Sequence, residues 1–131
     1  LSIVEATADA CAAAGVKRPG LFGTRFTMQG DFYPRVFRAR GLAVVAPAPD
    51  EQVYLHDKYM TELVAGKIVP ETRERMVEIA GRLRDREGVD GLILGGTELP
   101  LILRDPTVAG LPVFDTTRIH VERLVQEMLK P

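Results

Sequence analysis

The sequence has a single cysteine, Cys11, in 131 residues. An internal disulfide is therefore excluded, which fits a reducing compartment. No apolar run approaches the roughly 18 residues that span a bilayer, and no basic segment leads into an apolar one at the N-terminus. The expected location is cytoplasmic, with no membrane partner. Charge of one sign is missing too. Seventeen basic residues against eighteen acidic ones leave a net charge of −1, and the arginines are scattered along the chain. Such a balance does not ask for nucleic acid as partner. There is no phosphate loop of the GxxxxGK type and no GxGxxG after a strand, which argues against nucleotide binding. His56 and His120 have no further ligand-type side chain at metal spacing, so no metal is expected.

What is present is enough apolar character, 46% of residues, for the core of one ordinary domain. Short apolar runs alternate with longer amphipathic ones. Residues 2–14 read as a helix closed by Gly15. The stretch opens inside an alanine-rich helical pattern with no cap before Leu1, an unusual natural start that fits a piece of a longer chain. GLFG (20–23) reads as a buried strand, and residues 31–40 as a helix stopped by Gly41, with Pro34 tolerable near its first turn. LAVVA (42–46) reads as a second strand, ended by Pro47 and Pro49. From Asp50, the expected cap, to about Gly66, Val53, Met60, Leu63 and Val64 recur at roughly helical spacing. Pro70 opens the next helix, with Met76, Ile79, Ala80 and Leu83 as its stripe and Gly88 as its stop. DGLILGG (90–96) and LPVFD (111–115) are the third and fourth strands, and residues 116–130 form a last amphipathic helix.

Strands alternating with helices imply parallel pairing, and unbroken apolar strands imply cover on both faces. The fold class is therefore α/β, a four-stranded, mostly parallel sheet between helices. In such sheets ligands collect outside the carboxyl ends of the strands. One of the loops found there, GGTE (95–98), places Gly96, Thr97 and Glu98 at a strand end. Two readings fit: a carboxylate-binding turn at a helix start, or an ordinary turn with Thr97 as cap. Another, GTRFT (23–27), carries hydroxyls at Thr24 and Thr27, which could hold a small anion, although Thr24 as a cap explains one of them. Lys67 reads as a helix-end lysine or as a charge facing a site. His56 reads as a surface or interhelical residue, His120 as a residue behind the site, and Cys11 as a small packing residue.

Taken together, SIVEAT, GLFGTRFTMQGDFY, VDGLILGGTELPLIL and PVFDTTRIHVE resemble the second half of the aspartate/glutamate racemase family, in order and spacing, across nearly the whole chain. The resemblance implies one lobe of a two-lobed, pseudo-symmetric enzyme that uses no cofactor, with the first lobe preceding Leu1. It implies a small dicarboxylic amino acid as substrate and a base on each side of the α-carbon, commonly two cysteines. It aligns Thr24 and Thr27 with hydroxyls that contact the substrate carboxylate, Thr97 and Glu98 with residues that bind or frame substrate, and Lys67 loosely with a basic residue near the site. The family's second cysteine position falls on Gly96, so no catalytic residue is assigned in this chain. An amino-acid racemase lobe is the leading expectation. The alternatives are a one-thiol decarboxylase or isomerase of the same superfamily, and a non-catalytic amino-acid-binding lobe. A homo-oligomer is expected, because the face meant for the other lobe would be apolar.

Overall fold

Strands β1 (Pro19–Gly23), β2 (Gly91–Gly95) and β4 (Leu111–Asp115) run parallel, and the short β3 (Thr107–Val108) pairs antiparallel with β4, giving the order β1-β2-β4-β3. These positions come from a computed structural model, which describes residues 2–130; expectations attached to Leu1 and Pro131 lie outside the described residues. Helices α1 (Ile3–Ala13), α2 (Arg25–Gln29), α3 (Phe32–Arg38), α4 (Pro49–Lys58), α5 (Pro70–Arg82), α6 (Leu99–Ile102) and α7 (Thr116–Met128) fill the connections. α4 and α5 each continue into a π-helical turn, at Tyr59–Leu63 and Leu83–Glu87.

Successive strand residues point to opposite faces, so each strand serves two cores. Leu21, Ile93 and Phe114 pack with Val4, Ala8, Tyr33 and Phe37 on the face of α1 and α3. Phe22, Leu92 and Leu94 pack with Leu55, Leu63, Met76 and Ile79 on the face of α4 and α5. Each fully buried side chain of this size contributes about 1.5–3 kcal/mol, and the double cover explains why the strands read as unbroken apolar runs.

The four strands are not the four expected. LAVVA (42–46) forms a single parallel bridge, Val45 beside Gly20, with Val45 N–H donating to Pro19 O and Leu21 N–H to Val45 O, both at 2.9 Å. Extending that ladder would need the next N–H from Pro19 on one side and from Pro47 on the other, and proline has none. Its place in the count is taken by β3.

The helix bounds follow the local signals closely, and the stops Gly15, Gly41 and Gly88 take positive φ of 77°, 74° and 67°. Three local readings change. Ser2 caps α1, its hydroxyl accepting from Val4 and Glu5 N–H at 3.1 and 3.3 Å. Asp50 is not the cap of α4: Ala48 holds that position, and the Glu51 carboxylate accepts the Ala48 N–H at 3.0 Å. The buried side of α4 is also different. Glu51, Leu55, Tyr59 and Leu63 face inward, while Val53, Met60 and Val64 are exposed. The inward set repeats every four residues and pairs buried Glu51 with Arg82 at 3.0 Å and Arg86 at 3.2 Å.

Candidate functional site

The carboxyl ends of β1 and β2 are adjacent because the two strands pair in register, with Gly23 opposite Gly95. Thr27, one turn into α2, lies over both glycines. A Cβ on Gly23 would come within 2.9 Å of the Thr27 side chain, and one on Gly95 within 3.1 Å. A Cβ at Gly23 would force Thr27 to shift, and one at Gly95 would be tight against both Thr27 and the Phe22 carbonyl, at 3.1 Å each. Thr24 occupies the position before α2 with extended backbone, yet its side chain makes no capping bond; its hydroxyl lies 3.5 Å from that of Thr27. The ordinary-cap reading of Thr24 therefore does not apply, and the hydroxyl pair stands at one strand end.

At the end of β2 the chain turns through Gly96, Thr97 and Glu98 into α6, a single turn of four residues. Thr97 is not the cap, because Glu98 holds that position without a side-chain capping bond. The Thr97 hydroxyl instead donates to Glu98 Oε1 at 2.7 Å, and the Tyr59 phenol donates to the same oxygen at 2.5 Å. These two bonds, first that of Thr97 and then that of Tyr59, hold the Glu98 carboxyl below its ordinary range. Burial, and after it the Glu98 carboxylate, push the Tyr59 phenol up to about 12. At neutral pH the pair is a carboxylate accepting from a phenol that keeps its proton.

Tyr59 also explains why position 96 carries no side chain. A Cβ there would lie 2.8 and 2.9 Å from the ring carbons Cε2 and Cζ of Tyr59, and nearer still to its oxygen. The phenol fills the space that a side chain at 96 would use. Tyr59 was missed by the sequence reading because the stripe chosen for α4 was displaced from the buried one. The usable signal was an aromatic residue with a polar tip four residues after Leu55. His56, on the same helix, reaches the other loop: its Nδ1 accepts the Arg25 N–H at 3.0 Å, so it ties α4 to the start of α2. That matches the interhelical alternative.

The remaining residues lie elsewhere. Lys67 is exposed, and its charge falls on Glu62, which binds Lys58 at 3.3 Å and Thr72 at 2.6 Å. Cys11 is buried on the inner face of α1, and burial pushes its thiol up to about 12, so it is inert packing. The Thr116 hydroxyl donates to Leu94 O at 3.0 Å, fixing the start of α7 on β2; His120 follows one turn later with a buried Nδ1 that has no partner among the described residues. A cavity of about 310 Å³ borders the Thr27 side with Phe26, Phe32 and Tyr33 around it. Another of about 490 Å³ lies between α6 and α7. Among the described residues no three His, Cys, Asp or Glu side chains converge to hold a metal, and no helix is long and apolar enough to cross a membrane.

Comparison with known proteins agrees with this fold. An aspartate racemase homologue from Pyrococcus horikoshii superposes with a TM-score of 0.92 at 35% identity, over 99% of this chain and 56% of that one. A structure described as a putative Asp/Glu racemase from Yersinia pestis gives 0.91 at 33%, with the same coverage. An aspartate racemase from Picrophilus torridus shares the fold, at 0.78 and 23% identity, over 97% of this chain and 52% of that one. The chain therefore spans little more than half the length of the structures it matches. The model of the Asp/Glu/Hydantoin racemase family matches residues 1–124. This chain belongs to the Asp/Glu/Hydantoin racemase family.

Proposed function

We propose that this chain is the substrate-gripping lobe of a cofactor-independent amino-acid racemase of the aspartate/glutamate type, working with a second lobe that closes over the strand ends. The observation that carries the reading is the meeting of two polar loops at the paired ends of β1 and β2: the hydroxyls of Thr24 and Thr27 on one, Thr97 and ionised Glu98 on the other. Hydroxyls and strand-end amides suit the substrate carboxylate, and a carboxylate suits an ammonium group. Gly96 belongs to the same strand end; Lys67 is the weakest member of the proposed set, being exposed.

Racemisation removes the α-proton from one face and returns one to the other, so groups on both faces are needed. The test is proton NMR in deuterium oxide on the two-lobed protein with aspartate and glutamate. Exchange of the α-proton with inversion is expected, and exchange with retention would overturn the reading. The 131-residue chain alone should not racemise either amino acid above a buffer blank.

A second reading, a one-thiol decarboxylase or isomerase of the same superfamily, is favoured by the missing side chain at Gly96. Retention in the same experiment is its signature. Self-association is part of the first reading. Val121, Leu124, Val125, Met128 and Leu129 form an exposed apolar stripe along α7 and just beyond it, and stripes of this kind find partners. A clean monomer in sedimentation at high concentration would count against it.

A further inference from the structure

We propose that Tyr59 is the group on this lobe that delivers a proton to the substrate's α-carbon, from the place beside Gly96 that its phenol fills. The proposal rests on the racemase reading above and names the proton carrier that reading leaves unassigned. Three side chains at the end of β2 carry exchangeable or accepting oxygen: Thr97, Glu98 and Tyr59. Glu98 is ionised at neutral pH and has no proton to give. The Thr97 alcohol is a much weaker acid than a phenol. Tyr59 keeps its proton at neutral pH, and its oxygen stands where a side chain on residue 96 would begin.

The backbone supplies an independent observation. Tyr59 opens the π-helical turn that follows α4, in which Val64 N–H bonds Tyr59 O at 3.0 Å. Single π turns inside helices recur at functional sites, since the extra residue per turn re-aims the side chains there. His56, one turn earlier, is bound to the loop that carries Thr24 and Thr27. The helix and its π turn thus hold both strand-end loops, His56 at the start of α2 and the Tyr59 phenol at Glu98.

The step balances as follows. A thiolate of the second lobe, the base that the family resemblance implies, takes the α-proton, and the electron pair of that C–H bond is left on the carboxylate-stabilised carbanion. The Tyr59 hydroxyl turns away from Glu98 Oε1, which it binds in this structure, and its O–H bond breaks as a new Cα–H bond forms on the opposite face, leaving the phenolate electron pair on oxygen. The phenolate regains a proton from water after product leaves, and the thiol returns its proton to water.

The experiment incubates the two-lobed protein with L-aspartate and L-glutamate in deuterium oxide. It follows loss of the α-proton by NMR and appearance of the D-amino acid by chiral chromatography. For Tyr59→Phe, which keeps the ring, inversion should fall by about 100-fold or more, the lower range for loss of a proton-transfer group. Wash-out of the α-proton should persist within about 10-fold, because the opposite base still removes and returns hydrogen on its own face. Gly96→Ala, which sets a methyl against the ring, should give the same split and decides the matter if Tyr59→Phe does not fold. Equal inversion in wild type and Tyr59→Phe, or parallel loss of inversion and wash-out, would overturn the role of Tyr59 and leave the racemase reading standing. No wash-out in wild type, or retention only, would overturn both.

Discussion

Gly23 and Gly95 stand opposite each other at the carboxyl ends of β1 and β2, and the side chain of Thr27 lies across both. The candidate site is built around that contact. Two parallel strands end together, a short helix folds back over them, and its threonine rests in the space left by the absent Cβ of Gly23, with Gly95 close beside it.

Gly23→Ala should therefore disturb the site as well as the fold. Its methyl would meet Thr27 Cβ and Cγ2 at 2.9 Å and the Gly95 carbonyl at 3.2 Å, and that carbonyl is part of the sheet. Overpacking of this kind costs about 1–3 kcal/mol. Urea unfolding should show the loss, and, if the proposed two-lobed protein binds aspartate here, calorimetric titration should show weaker binding. Unchanged values for both would mean that Thr27 does not rest on these glycines.

Gly96 and Tyr59 should be energetically coupled. Gly96→Ala in the wild-type background should cost about 1–3 kcal/mol, because a ring cannot yield as a flexible chain end can. After Tyr59→Ala the same substitution should cost little. A double-mutant cycle by urea unfolding should give a coupling of about 1 kcal/mol or more, whereas additivity within about 0.5 kcal/mol would show the two residues to be independent. The same crowding means that a cysteine at 96 can become a reactive thiol only if Tyr59 moves aside.

Acid should remove the contribution of Glu98. Its folded carboxyl lies below the ordinary glutamate value of 4.5, held there by Thr97 and then Tyr59. A depressed carboxyl stabilises the fold above its unfolded value, and the contribution is lost as pH falls through the folded value. Thr97→Val should thus lower stability at pH 7, and the gap from wild type should close as pH drops below the 4.5 reference. Stability curves from neutral pH into the acid range check this; a gap that stays constant would place the effect of Thr97 outside Glu98.

Cys11 should report on unfolding. It is fully buried, and burial pushes its thiol up to about 12, so iodoacetamide should not label the native chain at neutral pH. Labelling should appear only as denaturant opens α1. Fast labelling in buffer would mean that α1 lifts readily from α7 and the sheet.

Much of the architecture was legible locally. Pro70 opens α5, Met76, Ile79, Ala80 and Leu83 are its buried stripe, and Gly88 stops it with positive φ, all as the sequence pattern implies. The apolar run that ends in Gly95 and Gly96 is β2, and the hydroxyls of Thr24 and Thr27 fall at a strand end. Helix signals of this kind work because capping, proline and glycine act on the backbone dihedrals of the residues that carry them.

The pairing of distant groups was decided by the tertiary structure alone. Residues 42–46 have strand composition, but only their register beside β1 sets Pro19 and Pro47 at the places where the ladder needs N–H groups. On α4, periodicity admits more than one apolar stripe. Packing against β2 and α5 chose the one with Glu51, Leu55, Tyr59 and Leu63, and left Val53, Met60 and Val64 outside. That choice carries the Tyr59 hydroxyl to Glu98, 39 residues away. Sequence fixes which face each residue of a helix shares with its neighbours; which face is buried, and which polar tip meets which carboxylate, depends on how the packed elements fill space together.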